Sequence, residues 1–370
     1  MRKEPDMYEL TEEKQAELRR ITAFEDVVFH DAREDCFKIY GLYEPYSGGS
    51  YCRLPESVAE ATSVKVARRN YNTAGGRIRF TTDSEYVAIY IKGSKLRGLS
   101  FDLYIDNSRC DGVPNSVFAR ALFIEGHYTE DTFAKKMYLP EGEHAITLNL
   151  PLLRGFTELY IGLSEGATLK AGLPYRNKKP IVFYGSSITQ GVGASRPGLS
   201  YNSLVCRRLN AHYVNLGFAG AAKAEEAMID YLASLDMCFF VQDYDHNAPS
   251  PEYLRATHYK LYKRVRETHP DIPILFLSRP GFNTYNATGT LRTNASIERR
   301  NVVIDTFRTA RAEGDDRVWY IDGESFFSGP DECECTRDGI HPNDIGMLKM
   351  ADRVHCALLR ILREVPFLEE

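Results

Sequence analysis

Apolar residues are arranged differently in the two halves of the chain. In the first half, short runs alternate apolar and polar positions and are separated by Pro and Gly, a pattern that predicts strands. These runs lie at 77–82, 86–91, 100–106, 136–139, 145–150 and 158–163. Many short strands joined by turns predict an antiparallel β-sandwich. A short helix at 16–21, beginning near Thr11, is predicted to precede the strands.

From Pro180 onward, short apolar runs alternate with longer stretches of helical periodicity. The pattern predicts strands at 181–184, 212–216, 237–241, 272–277 and 317–321, with helices at 200–209, 225–235, 251–269, 295–312 and 344–362. Such alternation predicts a parallel sheet that is covered by helices on both faces. The chain is therefore expected to contain two domains, a β-sandwich at 1–172 and an α/β domain at 173–370.

The carboxyl ends of parallel strands share one edge of their sheet, where functional residues gather. The loops expected at this edge carry small and polar residues, and they lie at 185–187, 217–220, 242–247 and 322–341. The first loop joins a buried strand to a helix through Gly185 and Ser186, so the hydroxyl of Ser187 is expected to be exposed at the carboxyl edge of the sheet. Such a turn is a common mounting for a nucleophile.

These loops contain the groups that acyl transfer by a serine needs. Ser187 is the candidate nucleophile, His341 the candidate base, and Asp338 the group that would hold the imidazole ring. The backbone N–H groups of Ser187 and Gly220 and the side-chain amide of Asn247 are candidate donors to the oxyanion.

Each of these residues also has a structural interpretation. Asp338 begins a turn dipeptide, and His341 stands where it could cap the last helix. Gly220 could simply start a helix, and Asn247 could satisfy a turn. His246 is an alternative base.

Four blocks of this sequence resemble the blocks of the SGNH (GDSL-type) hydrolases: Gly185-Ser186-Ser187-Ile188-Thr189, Asn215-Leu216-Gly217-Phe218-Ala219-Gly220, Asp243-Tyr244-Asp245-His246-Asn247 and Asp338-Gly339-Ile340-His341-Pro342. By this resemblance Ser187 corresponds to the nucleophile, and Gly220 and Asn247 to the oxyanion donors. Asp338 and His341 correspond to the acid and the base. Upstream, 98–104 is similar to the G-x-D-L-Y motif of the β-domain that precedes one SGNH branch.

Two positions depart from the SGNH pattern. Ser186 occupies the place of the aspartate in the family name, and the asparagine block has Asp245 and His246 before Asn247 instead of glycines. The resemblance implies a flavodoxin-like α/β/α hydrolase domain that uses no metal or cofactor. It also implies cleavage of small acyl esters, with acetylated carbohydrates as the expected substrates. Arg196 is a candidate substrate contact, and the alternative is that it braces the nucleophile turn.

Aromatic residues in the first half are a candidate surface for stacking sugars, although tyrosine is also a common strand residue. The tyrosines concerned are Tyr40, Tyr43, Tyr46, Tyr51 and Tyr71. Two other functions stay open. One is a lipid or thioester acylhydrolase with the same three side chains, and the other is a carbohydrate-binding protein without catalysis.

The net charge limits the macromolecules that this chain is expected to bind. With 46 basic and 51 acidic residues the net charge is −5, which predicts binding to neither nucleic acid nor an anionic membrane. No signal sequence or spanning segment is visible, so a cytoplasmic location is expected, and a homo-oligomer stays open.

The eight scattered cysteines are expected to be reduced. Cys333 and Cys335 with His341 form an incomplete zinc set, so no metal is predicted.

Overall fold

The computed structural model describes residues 8–93, 99–107, 116–123, 127–129, 131–280, 294–329 and 332–368. The helices in these ranges are α1 (Glu12–Thr22), α2 (Glu56–Thr62), α3 (Val64–Asn70), α4 (Ser187–Gln190), α5 (Tyr201–Leu209), α6 (Glu226–Ser234), α7 (Pro251–Thr268), α8 (Asn294–Ala312) and α9 (Asp344–Glu364). The first strands are β1 (Val27–Asp31), β2 (Lys38–Tyr40), β3 (Arg77–Thr82), β4 (Tyr86–Lys92), β5 (Ser100–Asn107), β6 (Ser116–Phe123), β7 (His127–Tyr128), β8 (Thr132–Tyr138), β9 (His144–Asn149), β10 (Glu158–Ser164) and β11 (Leu169–Ala171). They are followed by β12 (Ile181–Gly185), β13 (Tyr213–Gly217), β14 (Phe239–Asp243), β15 (Ile274–Leu277) and β16 (Val318–Ile321).

The chain forms two compact units. The first contains the chain up to Arg53 together with Tyr71–Pro174, and the second contains Leu54–Asn70 together with the chain from Tyr175 onward. The sequence prediction placed the boundary after residue 172 and assigned 54–70 to the first domain. The structure assigns that segment to the second unit.

The first unit is built from two antiparallel sheets, which confirms the predicted β-sandwich. One sheet has the strand order β1-β10-β4-β8-β7, and the other has the order β11-β3-β9-β5-β6 with β2 paired to β3. Apolar side chains from both sheets, such as Ile78 and Phe80 of β3 and Val87 and Ile89 of β4, form one buried core. The period-two pattern of the sequence arises because these side chains point to the same face of each strand.

Strand β4 is buried on both faces. Val87 and Ile89 point into the sandwich core, while Ala88 and Tyr90 pack in a second cluster with Leu18 of α1. Helix α1 therefore covers the outer face of this sheet. This explains why 86–91 has no charged position, whereas a strand with one solvent-facing side would show polar positions.

The predicted N-terminal helix is present and is fixed to the sheet by polar contacts. It begins after Thr11, whose hydroxyl accepts a hydrogen bond from the backbone N–H of Lys14 at 3.3 Å. The side chain of Gln15 then pairs with the backbone of Phe29, donating at 2.6 Å and accepting at 2.9 Å. The amide of Gln15 thus takes the place of a neighbouring strand.

Asp102, the acidic residue of the G-x-D-L-Y-like motif, is fully buried in β5. Its Oδ1 accepts a hydrogen bond from Nδ2 of Asn149 at 2.8 Å, and the two residues are paired in the register of β5 and β9. The aspartate therefore ties two strands together. Gly98 of the same motif lies outside the described residues.

The second unit contains a parallel sheet with the strand order β13-β12-β14-β15-β16. Its strands alternate with helices in the chain, and this order is the flavodoxin-like arrangement. In β12, Val182 and Tyr184 pack in one core, while Ile181 and Phe183 pack in the core on the opposite face. The four consecutive apolar residues of the sequence are explained by these two covered faces. No helix in the described ranges is both long enough and apolar enough to cross a membrane.

Helices α2 and α3 form an insertion that belongs to the second unit. Ala59 and Val66 lie in the same buried core as Val182. The two ends of the insertion are joined by Asn70, whose side chain accepts a hydrogen bond from the N–H of Leu54 at 2.9 Å and donates one to its carbonyl at 2.8 Å. Both residues are fully buried, so this amide closes the insertion without contact to water.

Replacing Asn70 with Ala should destabilise the second unit. The substitution leaves the buried N–H and C=O of Leu54 without their partner, and we expect a loss of about 2–4 kcal/mol in the free energy of unfolding. Urea denaturation followed by tryptophan fluorescence measures this loss, because the single tryptophan, Trp319, lies in β16 of the same unit. Ser234→Ala, on an exposed part of α6, is the control and should change stability by less than about 0.5 kcal/mol. Equal stability of the two variants would show that the hydrogen bonds between Asn70 and Leu54 do not stabilise the second unit.

Candidate active site

Three strands of the second unit end level with one another at one edge of the sheet. Gly185, the last residue of β12, is in register with Gly217 of β13 and with Asp243 of β14. The loops that follow these strands are therefore adjacent, as the sequence prediction requires. They carry the candidate residues Ser187, Gly220 and Asn247, in that order.

Ser187 begins the one-turn helix α4 directly after β12. Ser186 is its N-cap: the Ser186 hydroxyl accepts a hydrogen bond from the N–H of Ile188 at 3.1 Å. The N–H of Ser186 donates to the carbonyl oxygen of Asp243 at 3.1 Å, which fixes the turn to β14. Serine and aspartate are equally good N-caps, so the departure from the family name preserves the local structure.

Ser187, His341 and Asp338 form a continuous chain of hydrogen bonds. Oγ of Ser187 lies 3.0 Å from Nε2 of His341, and Nδ1 of His341 lies 2.7 Å from Oδ2 of Asp338. Oδ1 of Asp338 accepts hydrogen bonds from the backbone N–H groups of His341 at 2.7 Å and Ile340 at 3.0 Å. The structure thus brings together the three residues that the sequence singled out.

The charge on Asp338 determines the direction of these hydrogen bonds. Partial burial by itself would raise the pKa of Asp338, but hydrogen bonds from the backbone and ring of His341 and from Ile340 lower it below its usual value. An ionised carboxylate only accepts hydrogen bonds, so in the neutral ring of His341 the proton is on Nδ1 and Nε2 presents its lone pair. The hydroxyl of Ser187 therefore donates to Nε2, which is the arrangement that removes a proton from a nucleophile.

The loop that carries His341 is docked on the segment that follows α4. Gly193 has φ of +104°, and a Cβ at this position would collide with the carbonyl oxygen of Pro342 and would lie 3.3 Å from Cβ of His341. Two residues later, the N–H of Ser195 donates to Oδ1 of Asp344 at 2.8 Å. These contacts were not predicted from the sequence, although Gly193, two positions after Gly191, indicates a backbone turn.

The candidate oxyanion donors lie on loops that are hydrogen-bonded to one another. The N–H of Phe218 donates to the carbonyl of Gly185 at 2.8 Å, and Nδ2 of Asn247 donates to the carbonyl of Phe218 at 3.1 Å. Gly220 is exposed and has φ of +62°. Ser187 is the first residue of α4, where backbone N–H groups have no partner within the helix.

The remaining candidates are not in the hydrogen-bonded chain of Ser187. Nδ1 of His246 lies 3.1 Å from Oδ1 of Asp245, so the alternative base is paired with its neighbour. Arg196 is half-buried and precedes the 3₁₀ turn Pro197–Leu199. Its contact with substrate stays a prediction.

The tyrosines of the first unit differ in exposure. Tyr51 is 1% exposed, and the guanidinium of Arg33 lies 4.5 Å from the centre of its ring. The Tyr46 hydroxyl donates to the carbonyl of Phe37 and accepts from the N–H of Ile39, both at 2.8 Å. Tyr51 and Tyr46 are therefore structural, whereas Tyr71 is 38% exposed.

The cysteines of the described residues do not combine with acids and histidines into a metal site. The seven cysteines in the described ranges are free thiols. Cys335 is buried in an apolar core and Cys333 is exposed. Within the described ranges, no group of three or more His, Cys, Asp or Glu side chains is arranged to hold a metal ion.

A serine, histidine and aspartate at the carboxyl edge of a flavodoxin-like sheet define a class of α/β hydrolases with a nucleophilic serine. Residues 178–359 match the model of the GDSL-like lipase/acylhydrolase family. Residues 27–169 match the GxDLY model, the N-terminal domain of SGNH-hydrolase-type esterases. The chain therefore belongs to the SGNH (GDSL-type) hydrolases, in the branch with a β-domain before the hydrolase domain.

Solved structures share this architecture. A Bacteroides ovatus ATCC 8483 protein described as a GDSL-like lipase is 26% identical, with a TM-score of 0.77 over 92% of this chain and 99% of its own. The salicylyl-acyltransferase SsfX3 of a tetracycline biosynthetic pathway is 20% identical, with a TM-score of 0.68 over 91% and 98%. A family two carbohydrate esterase from Clostridium thermocellum is 17% identical, with a TM-score of 0.56 over 78% and 93%. A search of curated proteins finds no significant match.

Replacing Gly193 with Ala should displace the His341 loop from Ser187. The added methyl group collides with Pro342, and a shift of about 1 Å in a reacting group can cost about 10²-fold in rate. We expect labelling of Ser187 by a fluorophosphonate reagent to slow by at least about tenfold, as measured by mass spectrometry.

Gly142→Ala is the matched control for this prediction. Gly142 has nearly the same backbone angle, φ of +107°, but a Cβ there meets no atom within 4 Å. Its substitution therefore reproduces the backbone strain without the collision, and it lies in the other unit. Equal labelling rates in the two variants would show that Gly193 does not position the histidine loop.

Proposed function

We propose that this protein is a serine esterase that hydrolyses small acyl esters, with acetylated carbohydrates as its substrate class. The observation that carries the proposal is the unbroken hydrogen-bond chain from Ser187 through His341 to Asp338. Its direction, from the hydroxyl toward the ionised carboxylate, is the one that acyl transfer needs. Membership of the acylhydrolase family supports the same reaction class.

In the first step, Oγ of Ser187 attacks the ester carbonyl carbon and its proton passes to Nε2 of His341. The imidazolium that forms is stabilised by the carboxylate of Asp338, 2.7 Å from Nδ1. The carbonyl oxygen becomes negatively charged, and the N–H groups of Ser187 and Gly220 with the amide of Asn247 are the proposed donors to it. The loss of one such donor typically costs about 2.7–4 kcal/mol of transition-state stabilisation.

In the second step, the tetrahedral intermediate collapses and Nε2 of His341 gives its proton to the leaving alcohol. The acyl group then remains on Ser187 as an ester. A water molecule loses a proton to Nε2 and attacks this ester. The second tetrahedral intermediate then collapses, the acid is released, and Nε2 returns the proton to Oγ of Ser187. Both halves use the same histidine, so its position between Ser187 and Asp338 is the main geometric requirement.

The substrate class rests on the structural neighbours. Family two carbohydrate esterases from Clostridium thermocellum and Cellvibrio japonicus and an acetyl xylan esterase from Butyrivibrio proteoclasticus share the fold of this chain. The acyltransferase neighbour is evidence that this fold also accommodates transfer to acceptors other than water. The half-buried Arg196, in the same unit as Ser187, is the proposed contact to a sugar.

Replacing Ser187 with Ala should abolish esterase activity and preserve the fold. Without the hydroxyl no acyl-enzyme forms, so we expect the kcat for 4-nitrophenyl acetate to fall by at least about 10³-fold. Circular dichroism checks the fold, and Ser234→Ala should retain wild-type turnover. If the wild-type protein hydrolyses the ester no faster than Ser187→Ala, the non-catalytic binding function is favoured.

A substrate panel distinguishes acetylesterase activity from the alternatives. We expect acetylated xylo-oligosaccharides and 4-nitrophenyl acetate to be cleaved with kcat/KM at least about 100-fold higher than 4-nitrophenyl palmitate or an acyl thioester. Acetate release is measured enzymatically, and Ser187→Ala gives the background for each compound. A preference for the palmitate ester or the thioester would replace the carbohydrate proposal with a lipid or thioester acylhydrolase.

A further inference from the structure

A buried polar cluster lies next to the helix that carries Ser187. Thr189 of α4 donates its hydroxyl to Oδ2 of Asp243 at 2.7 Å, and Tyr201 of α5 donates to the same oxygen at 2.8 Å. Thr189 and Tyr201 are fully buried and Asp243 is 1% exposed. None of the three takes part in the proton transfers described above, and none was predicted from the sequence to be a site residue.

The cluster anchors α4 through both the side chain and the backbone carbonyl of Thr189. Besides the hydroxyl contact to Asp243, the backbone carbonyl of Thr189 accepts hydrogen bonds from Nδ2 of Asn202 at 2.7 Å and from Nδ2 of Asn215 at 2.9 Å. These partners belong to α5 and β13, and Asp243 belongs to β14. A helix of one turn has almost no stability of its own, so contacts of this kind determine its orientation.

We propose that Thr189 and Asp243 are positioning residues for Ser187: the contact between the Thr189 hydroxyl and the Asp243 carboxyl group sets the orientation of α4 and hence the distance from Oγ of Ser187 to His341. The proposal rests on the proposed function. Asp243 acts on the same turn a second time, because its backbone carbonyl accepts from the N–H of Ser186 at 3.1 Å. Gly185 leaves the room that this contact needs, since a Cβ there would collide with the side chain of Thr189.

The strength of the contact depends on the charge of Asp243. Burial raises the pKa of this carboxyl group to about 7; the hydrogen bond from Thr189 lowers the pKa, the nearby charge of Asp245 raises it, and the hydrogen bond from Tyr201 lowers it. Oδ1 of Asp243 has no hydrogen-bond partner among the described residues, so burial is poorly compensated.

The groups around Asp243 differ in charge. Burial and the neighbouring Asp243 raise the pKa of Tyr201, so its hydroxyl stays neutral and donates a hydrogen bond. Asp245 is ionised and paired with His246 and with the N–H of Arg279. Helix α4 contributes the uncharged hydroxyl of Thr189. Because an ionised acceptor forms the stronger hydrogen bond, Asp243 should hold Thr189 more tightly above pH 7 than below it.

The first test removes the hydroxyl of Thr189 and keeps the shape of its side chain. Thr189→Val should lower kcat for 4-nitrophenyl acetate by about 10- to 100-fold and change KM less than about threefold, because the substitution misplaces Ser187 and removes no substrate contact. Thr189→Ser restores the hydroxyl and should return kcat to within about threefold of wild type. A Thr189→Val enzyme with wild-type kcat overturns the proposal, as does a Thr189→Ser enzyme as impaired as Thr189→Val.

Thr306→Val is the matched control. Thr306, on α8, is also buried, and its hydroxyl lies 2.8 Å from Nδ1 of His258 on α7. The same substitution there should lower thermal stability and leave kcat unchanged. An equal fall of kcat in both variants would show a general effect of lost buried hydrogen bonds and would overturn the positioning role.

The second test uses Asp243→Asn, which keeps the shape and an acceptor oxygen but cannot ionise. The ratio of wild-type to variant kcat cancels any pH dependence that both enzymes share. We expect this ratio to be near 1 at pH 5.5 and to rise about three- to tenfold by pH 8.5, as wild-type Asp243 loses its proton. A ratio independent of pH would overturn the part assigned to Asp243.

The rate of Ser187 labelling by a fluorophosphonate separates failure of this proposal from failure of the proposed function. Labelling reports the reactivity of the hydroxyl and needs no substrate. If the wild-type protein turns over no ester but is labelled at Ser187, the proposed function fails and the Thr189 variants are compared by labelling rate. Slower labelling of Thr189→Val than of Thr306→Val would then support positioning, and equal rates would overturn it.

Discussion

The structure depends on the level ending of strands β12, β13 and β14 at one edge of the parallel sheet. Gly185 and Gly217 have no side chains at this edge, and a Cβ on either would collide with Thr189 or Gln190 of α4. The one-turn helix can therefore rest directly on the strand ends. This close contact places Ser187 at the edge and lets backbone groups of two neighbouring loops approach it.

The histidine reaches this edge from the far end of the chain, since 154 positions separate it from the serine. Two kinds of contact hold His341 next to Ser187. Within the loop, Asp338 and His341 lie three positions apart, and the carboxylate binds both the ring and the backbone of the histidine. Between segments, the absence of a side chain at Gly193 allows the loop to pack against the turn after α4. The first contact is local and the second is tertiary.

In the second unit, apolar packing contributes stability and buried polar contacts determine orientation. Apolar side chains on both faces of the sheet account for most of the stability and are tolerant of exchange by residues of similar volume. The hydrogen bonds of Thr189, Asp243, Asn202 and Asn215 have fixed directions, so they determine orientation. A catalytic serine needs orientation within a fraction of an ångström, which apolar packing alone does not specify.

The sequence by itself determined the two architectures, the order of strands and helices in the second unit and the chain of Ser187, His341 and Asp338, because periodicity and turn chemistry are local properties. It did not reveal that 54–70 belongs to the second unit, because the apolar residues of α2 and α3 do not indicate which core they pack in. Nor did it reveal the roles of Gly193 and Asp243. Those depend on atoms that are distant in the chain and meet only when the strands end level, so the tertiary structure alone decided them.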